Sequence, residues 1–390
     1  MPEISLKRSL SRMGIAIFLF YLSVALPLPV VSVFAVKELG LANWLGGLAV
    51  GISFLSTILS RKYAGYFADV VSRKKCTVIG LLLYMGAAAI CAAASLRGLS
   101  AGTAYAVLIA GRLVLGFGES MALLGLLTWH FSLIGHRHSG KIISVGGMAM
   151  YGAFAAGGPL GFLIYKNSGF AALMAASFLF PVIGYAMLYG LRDVLVQSSG
   201  DKREPFMLTI GRVWKLGTVV SLQGVGFAVL GAFIPLYFLS KGWPYAGFCL
   251  TGFGAGFVFN RIAFGHLPDK IGGVLIAVVS LAVETAGQCL LWLAPGVVFA
   301  LAGALLTGLG CSMVYPAMGV EVIRRIPPEL RGTGFGGFAA FQDVAYAFSG
   351  LIAGLLADHF GFSVVFLFGA AAAFTGIIMT LTIRKPAKLS

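Results

Sequence analysis

Apolar stretches of roughly 20 residues recur along the chain between short polar breaks. Each is long enough to cross a ~30 Å hydrocarbon layer as a helix. The pattern places twelve such spans, at 13–36, 44–68, 76–96, 103–130, 142–165, 170–191, 216–240, 246–267, 274–293, 297–323, 334–358 and 362–383. It predicts an all-α integral membrane protein of twelve transmembrane helices. The first run follows a basic start and so mimics a signal peptide. It is longer than the ~7–15 residues of a signal core, and further spans follow it, so it reads as the first helix.

The breaks between spans differ in charge. One side holds Lys7, Arg8 and Arg12, then Arg61, Lys62, Arg73, Lys74 and Lys75, then Arg137 and Lys141. The same side continues with Arg192, Lys202, Arg203, Arg212 and Lys215, then Arg261 and Lys270, then Arg324, Arg325 and Arg331, and the tail with Arg384, Lys385 and Lys388. The other side holds Lys37, Arg97, Lys166 and Lys241, and Arg112 lies within a helix. Basic loops are retained in the cytoplasm, so both termini are expected there, in keeping with an even number of spans.

Composition agrees. The 390 residues are 59% hydrophobic and 11% charged, where a soluble chain carries about 25% charge. A net charge of +15 could suggest nucleic acid. Basic residues spread over loops on one membrane face are better explained by topology and anionic lipid, so no nucleic-acid partner is expected. Trp44, Trp129, Trp214, Trp243 and Trp292 fall at the ends of the expected helices, where an indole suits the interface. The five cysteines lie in apolar segments without a CxxC pair, which indicates neither a disulfide framework nor a metal site. The 54 glycines suit closely packed, moving helices.

The chain also repeats itself. Gly65-Tyr-Phe-Ala-Asp69 ends the second span and Gly265-His-Leu-Pro-Asp269 the eighth, with Arg61 and Arg261 each four residues before the glycine. Gly116-Phe-Gly118 matches Gly308-Leu-Gly310, Ser120 matches Ser312, Gly140 matches Gly332 and Gly158 matches Gly350. Two parallel six-helix halves follow, 1–191 and 216–390, joined by a polar cytoplasmic linker at 192–215. That is the plan of a rocking secondary transporter with its solute site between the halves.

Gly65-x-x-x-Asp69-x-x-x-Arg73-Lys74 resembles the loop 2–3 signature of the major facilitator superfamily, with Val70 in place of a basic residue and Ser72 in place of a glycine. Gly265-x-x-x-Asp269-Lys270-x-Gly272 fits the opening of that signature better. Arg112-x-x-x-Gly116-x-Gly118 is similar to the family's helix-4 arginine motif, and Gly157-Gly158-Pro159-Leu160-Gly161 to its antiporter Gly-Pro motif. Gly111 to Ser120, Gly211-Arg-Val-Trp214 and Lys241-Gly-Trp243 resemble the YhhS/YfcJ-like efflux branch, which neighbours exporters of opine-type metallophores. The resemblance implies the major facilitator fold, two six-helix halves around a central cavity, in a bacterial inner membrane.

Charges at membrane depth cost at least ~2.5–3.5 kcal/mol and need a partner, water or a task. Gly65, Asp69 and Arg73, with Gly265 and Asp269, are gate candidates, because a carboxylate suits the start of a neighbouring helix. Topology and loop solvation are the plainer explanation. Arg112 and Glu119 are seven residues apart, on one face and about 10 Å apart along a helix. Glu119 is a candidate proton carrier whose occupancy a nearby cation can bias; a fixed polar network is the alternative. Asp343 in the eleventh span is the second candidate. Arg61, Arg112 and Arg261, with Tyr151 and Gln342, are candidate solute contacts, and the three arginines suit a carboxylate. Glu284, in the ninth span, reads as structural or partly interfacial, and Glu321 and Asp358 as solvated.

His136-Arg-His138 reads as a solvated loop, not a metal site. The chain has no HExxH and no Gly-Lys-Ser/Thr phosphate loop, which argues against an enzyme or an ATP-driven pump. No cofactor is expected. The sequence reads as a monomeric, proton-coupled exporter of a small organic solute. Proton-coupled uptake of a sugar or organic acid is the alternative, and a non-transporting sensor is the reading from another class.

Overall fold

The computed structural model describes residues 6–134, 139–193, 206–326 and 331–383. His136, His138, the linker segment 194–205 and the tail from Arg384 lie outside them. The described elements are helices: α1 (Leu6–Glu38), α2 (Asn43–Val70), α3 (Arg73–Ala93), α4 (Ala101–Ile134), α5 (139–168), α6 (170–188), α7 (Phe206–Lys241), α8 (Gly247–Phe264), α9 (Gly273–Trp292), α10 (Val297–Arg325), α11 (Arg331–Phe360) and α12 (Ser363–Leu381). These are membrane-length apolar helices, as the hydropathy pattern predicts.

Helices α5 and α6 follow one another without a loop, and a single residue divides them. Gly169 adopts φ +79°, ψ −178°, a conformation that only glycine takes without strain. Packing against α1 shows the reversal. Gly14 faces Val145 and Gly157 faces Ala25, so α5 runs with α1. Beyond Gly169, Ser23 donates a hydrogen bond to Ser177 O at 2.6 Å and Arg12 Nε donates to Met187 O at 2.7 Å, so α6 runs against it.

Boundaries differ from expectation in informative places. Helix α1 is interrupted at Pro27, which lacks an N–H, and ends in a π-helical turn over Phe34–Glu38. Helix α7 begins at Phe206, well ahead of the expected 216, because Val213 and Leu216 pack into an apolar cluster with Met313, Val314 and Phe338. Helix α8 stops at Phe264, and a separate helical turn, Leu267–Ile271, precedes α9.

The chain divides into two compact units, Met1–Ser199 and Gly200–Ser390. In the first, α3 and α4 cross on glycine: a Cβ on Gly118 would come within 2.9 Å of Gly80 O, and one on Gly125 within 2.7 Å of Thr77 N. In the second, α9 and α10 do the same, with Gly287 against Thr307 N at 2.6 Å and Gly303 against Gly287 O at 2.8 Å. Gly116 backs onto the Ser53 carbonyl of α2 and Gly308 onto the Phe253 carbonyl of α8, each leaving no room for a side chain. The repeat read from the sequence is therefore also a repeat of backbone contacts, which small residues make possible.

Candidate functional site

In the first unit the charged pair of α4 reaches two different neighbours. Arg112 is 1% exposed. Its Nε donates to Ala49 O at 2.9 Å and its Nη2 to Val50 O at 3.1 Å and Ser53 Oγ at 3.0 Å, all on α2. Glu119, 9% exposed, turns instead to α1, where the Tyr21 hydroxyl donates to its Oε1 at 3.0 Å. Arg112 and Tyr84 stand within electrostatic reach of that carboxyl. The Tyr21 ring meets Phe154 edge-on at 6.1 Å, and Tyr151 lies 6.0 Å from Phe154. Tyr151 and Glu119 are thus joined through Phe154 and Tyr21. Sequence reasoning missed Tyr21; a hydroxyl-bearing ring inside the apolar run of α1 was the available signal.

In the second unit Asp343 on α11 is buried, and the adjacent Gln342 donates from Nε2 to Gln223 Oε1 on α7 at 3.5 Å, a long and weak bond. A Cβ at Gly224 would come within 3.1 Å of the Tyr346 ring, so α7 and α11 are in close contact at this level. Gln223, itself buried, is a second residue the sequence reading passed over.

The two copies of the signature end their helices differently. Ser72, where the family pattern has glycine, is extended (φ −177°) and caps α3: its Oγ accepts from Lys75 N at 3.0 Å and donates to Asp193 Oδ2 at 2.8 Å. Gly272, its counterpart, has φ +100°. The same position therefore serves a cap in one unit and a left-handed turn in the other. Asp69 and Asp269 are both exposed. Arg73 Nη1 donates to Ser132 Oγ on α4. A Cβ on Gly65 would meet Leu124 at 3.9 Å, an ordinary distance, and Gly265 closes α8 with its N–H on Arg261 O at 3.1 Å. Arg61 and Arg261 are partly buried, and the Arg261 guanidinium lies 5.3 Å from the Phe257 ring.

Three acids and an indole sit otherwise than expected or as expected for reasons now visible. Trp129 is not interfacial: it is 0% exposed, its Nε1 donates to Arg192 O at 2.8 Å, and Lys74 Nζ stands 5.7 Å over its ring. Together with Arg12, which donates to Met187 O and Tyr189 O, it ties the end of α6 to α1, α3 and α4. Glu321 is buried, not solvated, because Arg324 and Arg325, one turn on, pair with it at 2.9 and 2.6 Å. Asp358 is exposed, as expected of a helix end. Glu284 is 0% exposed and so lies inside the second unit, not at an interface.

The family model for the Major Facilitator Superfamily matches residues 13–283 and 244–390. The chain belongs to this superfamily. It is 42% identical to an uncharacterised transporter of the same type from Salmonella typhimurium strain LT2, covering 97% of both chains. It is 34% identical to another from Burkholderia mallei strain SAVP1, covering 96% of this chain and 91% of that one. Its fold matches the crystal structure of a D-xylose-proton symporter with a TM-score of 0.78 at 16% identity, covering 98% of each chain. It also matches the nucleoside transporter NupG at 0.77 and 12% identity, over 97% of this chain and all of that one. The human organic anion transporter MFSD10 matches at 0.71 and 15% identity, again over 97% of this chain and all of that one.

The major facilitator chain described here is thus a multi-pass membrane protein and a secondary transporter for a small molecule, not an enzyme. Its Ser72 cap and its Arg112 contacts to α2 both lie in the first unit.

Proposed function

We propose that this transporter exports a small organic solute bearing a carboxylate or similar anionic group, in exchange for protons, from the cytoplasm of a bacterium. The observation that carries the proton half of this reading is Glu119: a buried carboxyl at mid-helix, held by the Tyr21 hydroxyl and in the field of Arg112. Such a group can take up or lose a proton as its neighbours and hydration change. Asp343 is its counterpart in the second unit.

The two units are the halves that rock, with Met1 and Ser390 both on the cytoplasmic side of the inner membrane and the protein working as a monomer. Asp69 and Asp269, with Gly65, Arg73 and Gly265, form the gate at that side. Export is inferred from the resemblance to the YhhS/YfcJ-like branch and the Gly157–Gly161 motif. The anionic solute is inferred from Arg61, Arg112 and Arg261, with Tyr151 and Gln342 as further contacts. Arg112 is already engaged by α2, so its part is to hold positive potential and not to release its hydrogen bonds to the solute.

The test is flux in proteoliposomes with an imposed pH gradient, using a panel of small carboxylates and their esters. Movement of a carboxylate against the proton gradient supports the reading. Movement of solute together with protons establishes uptake instead. Preference for esters or cations removes the anionic assignment, and no flux of any panel member under any gradient favours a sensor.

A further inference from the structure

A polar cluster lies within the second unit, around Glu284 on α9. Glu284 and Gln288, one turn apart on that helix, are both 0% exposed. The orientation of the Gln288 amide is fixed by its surroundings. Its Nε2 donates to Gly226 O on α7 at 3.1 Å, and a carbonyl can only accept. Nε2 also reaches Thr307 Oγ1 on α10 at 3.4 Å, whose own proton is given to Gly303 O at 2.8 Å. The nitrogen and hydroxyl donors around Gln288 are therefore committed.

The acceptors are not. Gln288 Oε1 and both carboxyl oxygens of Glu284 are buried and receive no hydrogen bond from a nitrogen or hydroxyl donor; the Cys311 thiol, a weak donor, stands beside the Glu284 carboxyl. An ionised carboxylate in that position would be costly, since no solvent and no donor stronger than a thiol compensates the charge. A water or metal ion could supply the missing donor or charge only if there were room. The helices close on the pair instead. Any Cβ on Gly226 would overlap Glu284 Oε1, one on Gly369 of α12 would come within 2.5 Å of Gln288 Oε1, and Gly310 of α10 packs against the Glu284 backbone. A proton needs no such room.

The groups facing Glu284 carry no opposing charge among the described residues. Helix α7 presents Gln223 and Gly226, α12 presents Gly369 to its neighbour Gln288, and α10 presents Thr307 and Cys311. The Cys311 thiol, the one titratable group among them, lies beside both the Glu284 carboxyl and the Gln223 amide. Gln223 in turn accepts from Gln342, next to Asp343. A line of polar side chains therefore runs from α11 through α7 and α10 to α9.

We propose that Glu284 is a proton-binding site buried in the second unit, occupied in the conformation described here and linked through Cys311 and Gln223 to Gln342 and Asp343. Ionising it leaves a charge that the glycine faces cannot solvate. Proton release therefore requires α9 to part from α7 and water to enter, which makes the proton a latch on the packing of this unit. The site stands independently of the coupling proposed for Glu119 and Asp343; its role in transport rests on that coupling.

Infrared spectroscopy of the purified full-length protein tests both parts without a solute. The background is Glu119→Gln with Asp343→Asn, which removes the other two candidate carboxyls. At neutral pH this protein is expected to show the carbonyl stretch of an un-ionised carboxylic acid, slow to shift when water is replaced by D2O. Adding Glu284→Gln, an isostere of the neutral acid that should keep the fold, abolishes that band. A spectrum in which Glu284→Gln removes no such band overturns the site. Cys311→Ala leaves the glutamate in place and covers the case in which the Gln variant does not fold. It is expected to move the band, and a band that stays where it was overturns the link to Gln223. A Glu284 band that persists while Glu119→Gln with Asp343→Asn keeps full pH-driven flux overturns the coupling reading alone, and a missing band with that flux lost overturns this site alone.

Discussion

The Tyr21 hydroxyl donates a 3.0 Å hydrogen bond to Glu119 Oε1, joining the first helix of the first unit to its fourth. The bond crosses an apolar interior, where a hydrogen bond to a carboxylate is worth about 1.5–3 kcal/mol. Glu119→Gln is expected to abolish pH-driven flux and to leave solute exchange at equal pH intact. Tyr21→Phe should slow pH-driven flux roughly tenfold or more, the equivalent of that bond. Full accumulation by both Glu119→Gln and Asp343→Asn would move the proton carrier elsewhere.

Asp69 and Asp269 are exposed helix-end residues and contribute little to stability. Asp69→Asn should express and melt as wild type while transport falls sharply. Asp269→Asn should act in the same direction. Unchanged flux in Asp69→Asn, measured in proteoliposomes, sinks the gate assignment.

The capping difference between Ser72 and Gly272 makes opposite substitutions informative. Ser72→Ala removes the cap of α3 and the bond to Asp193, at a cost of about 1 kcal/mol for the cap alone. Gly272→Ala places a side chain at φ +100° and costs about 1–2 kcal/mol. Thermal melting of the two variants in detergent measures both. Ser72→Gly, which restores the family pattern, is expected to destabilise this chain and not to improve it.

Gly116 and Gly308 each lie on a backbone carbonyl of a neighbouring helix. Gly116→Ala and Gly308→Ala should each cost about 1–3 kcal/mol by overpacking. Gly86, which has nothing within 4 Å of its would-be Cβ, is the control: Gly86→Ala should be neutral or stabilising. Equal melting temperatures for all three would mean that α2–α4 and α8–α10 can separate at no cost.

Arg112 links α4 to α2 through three acceptors. Arg112→Ala is expected to lower both the melting temperature and the affinity for carboxylates, while Ser53→Ala loses about 1 kcal/mol of stability alone. Carboxylate affinity unchanged in a folded Arg112→Ala protein, read by ligand-induced melting shifts, removes the positive-potential reading.

Apolar run length, loop charge and the spaced glycines were properties of the chain in one dimension, and from them the membrane class, the twelve spans and the internal repeat could be read directly. They are local or periodic, so no partner need be known. Gly116 and Gly308 could be matched by spacing alone, as could Asp69 and Asp269. What each polar side chain does depends on which helix faces it, and spacing says nothing of that. Arg112 and Glu119 share a helix, yet one bonds α2 and the other α1. Trp129 looked interfacial from its place near a helix end, and tertiary packing buried it by bringing the Arg192 carbonyl to its indole, whereas the Arg324–Arg325 pair that meets Glu321 lies one turn away on the same helix and its spacing was already present in the sequence. Ser72 looked like a lapse in the signature until Asp193 and Lys75 N were seen against it. Glu284 read as structural or partly interfacial, and only the closure of Gly226, Gln288 and Cys311 around it brought out the buried carboxyl proposed above as a proton site. Hydrophobicity is additive along a chain, whereas hydrogen-bond satisfaction is a property of pairs, and pairs exist only once the helices have met.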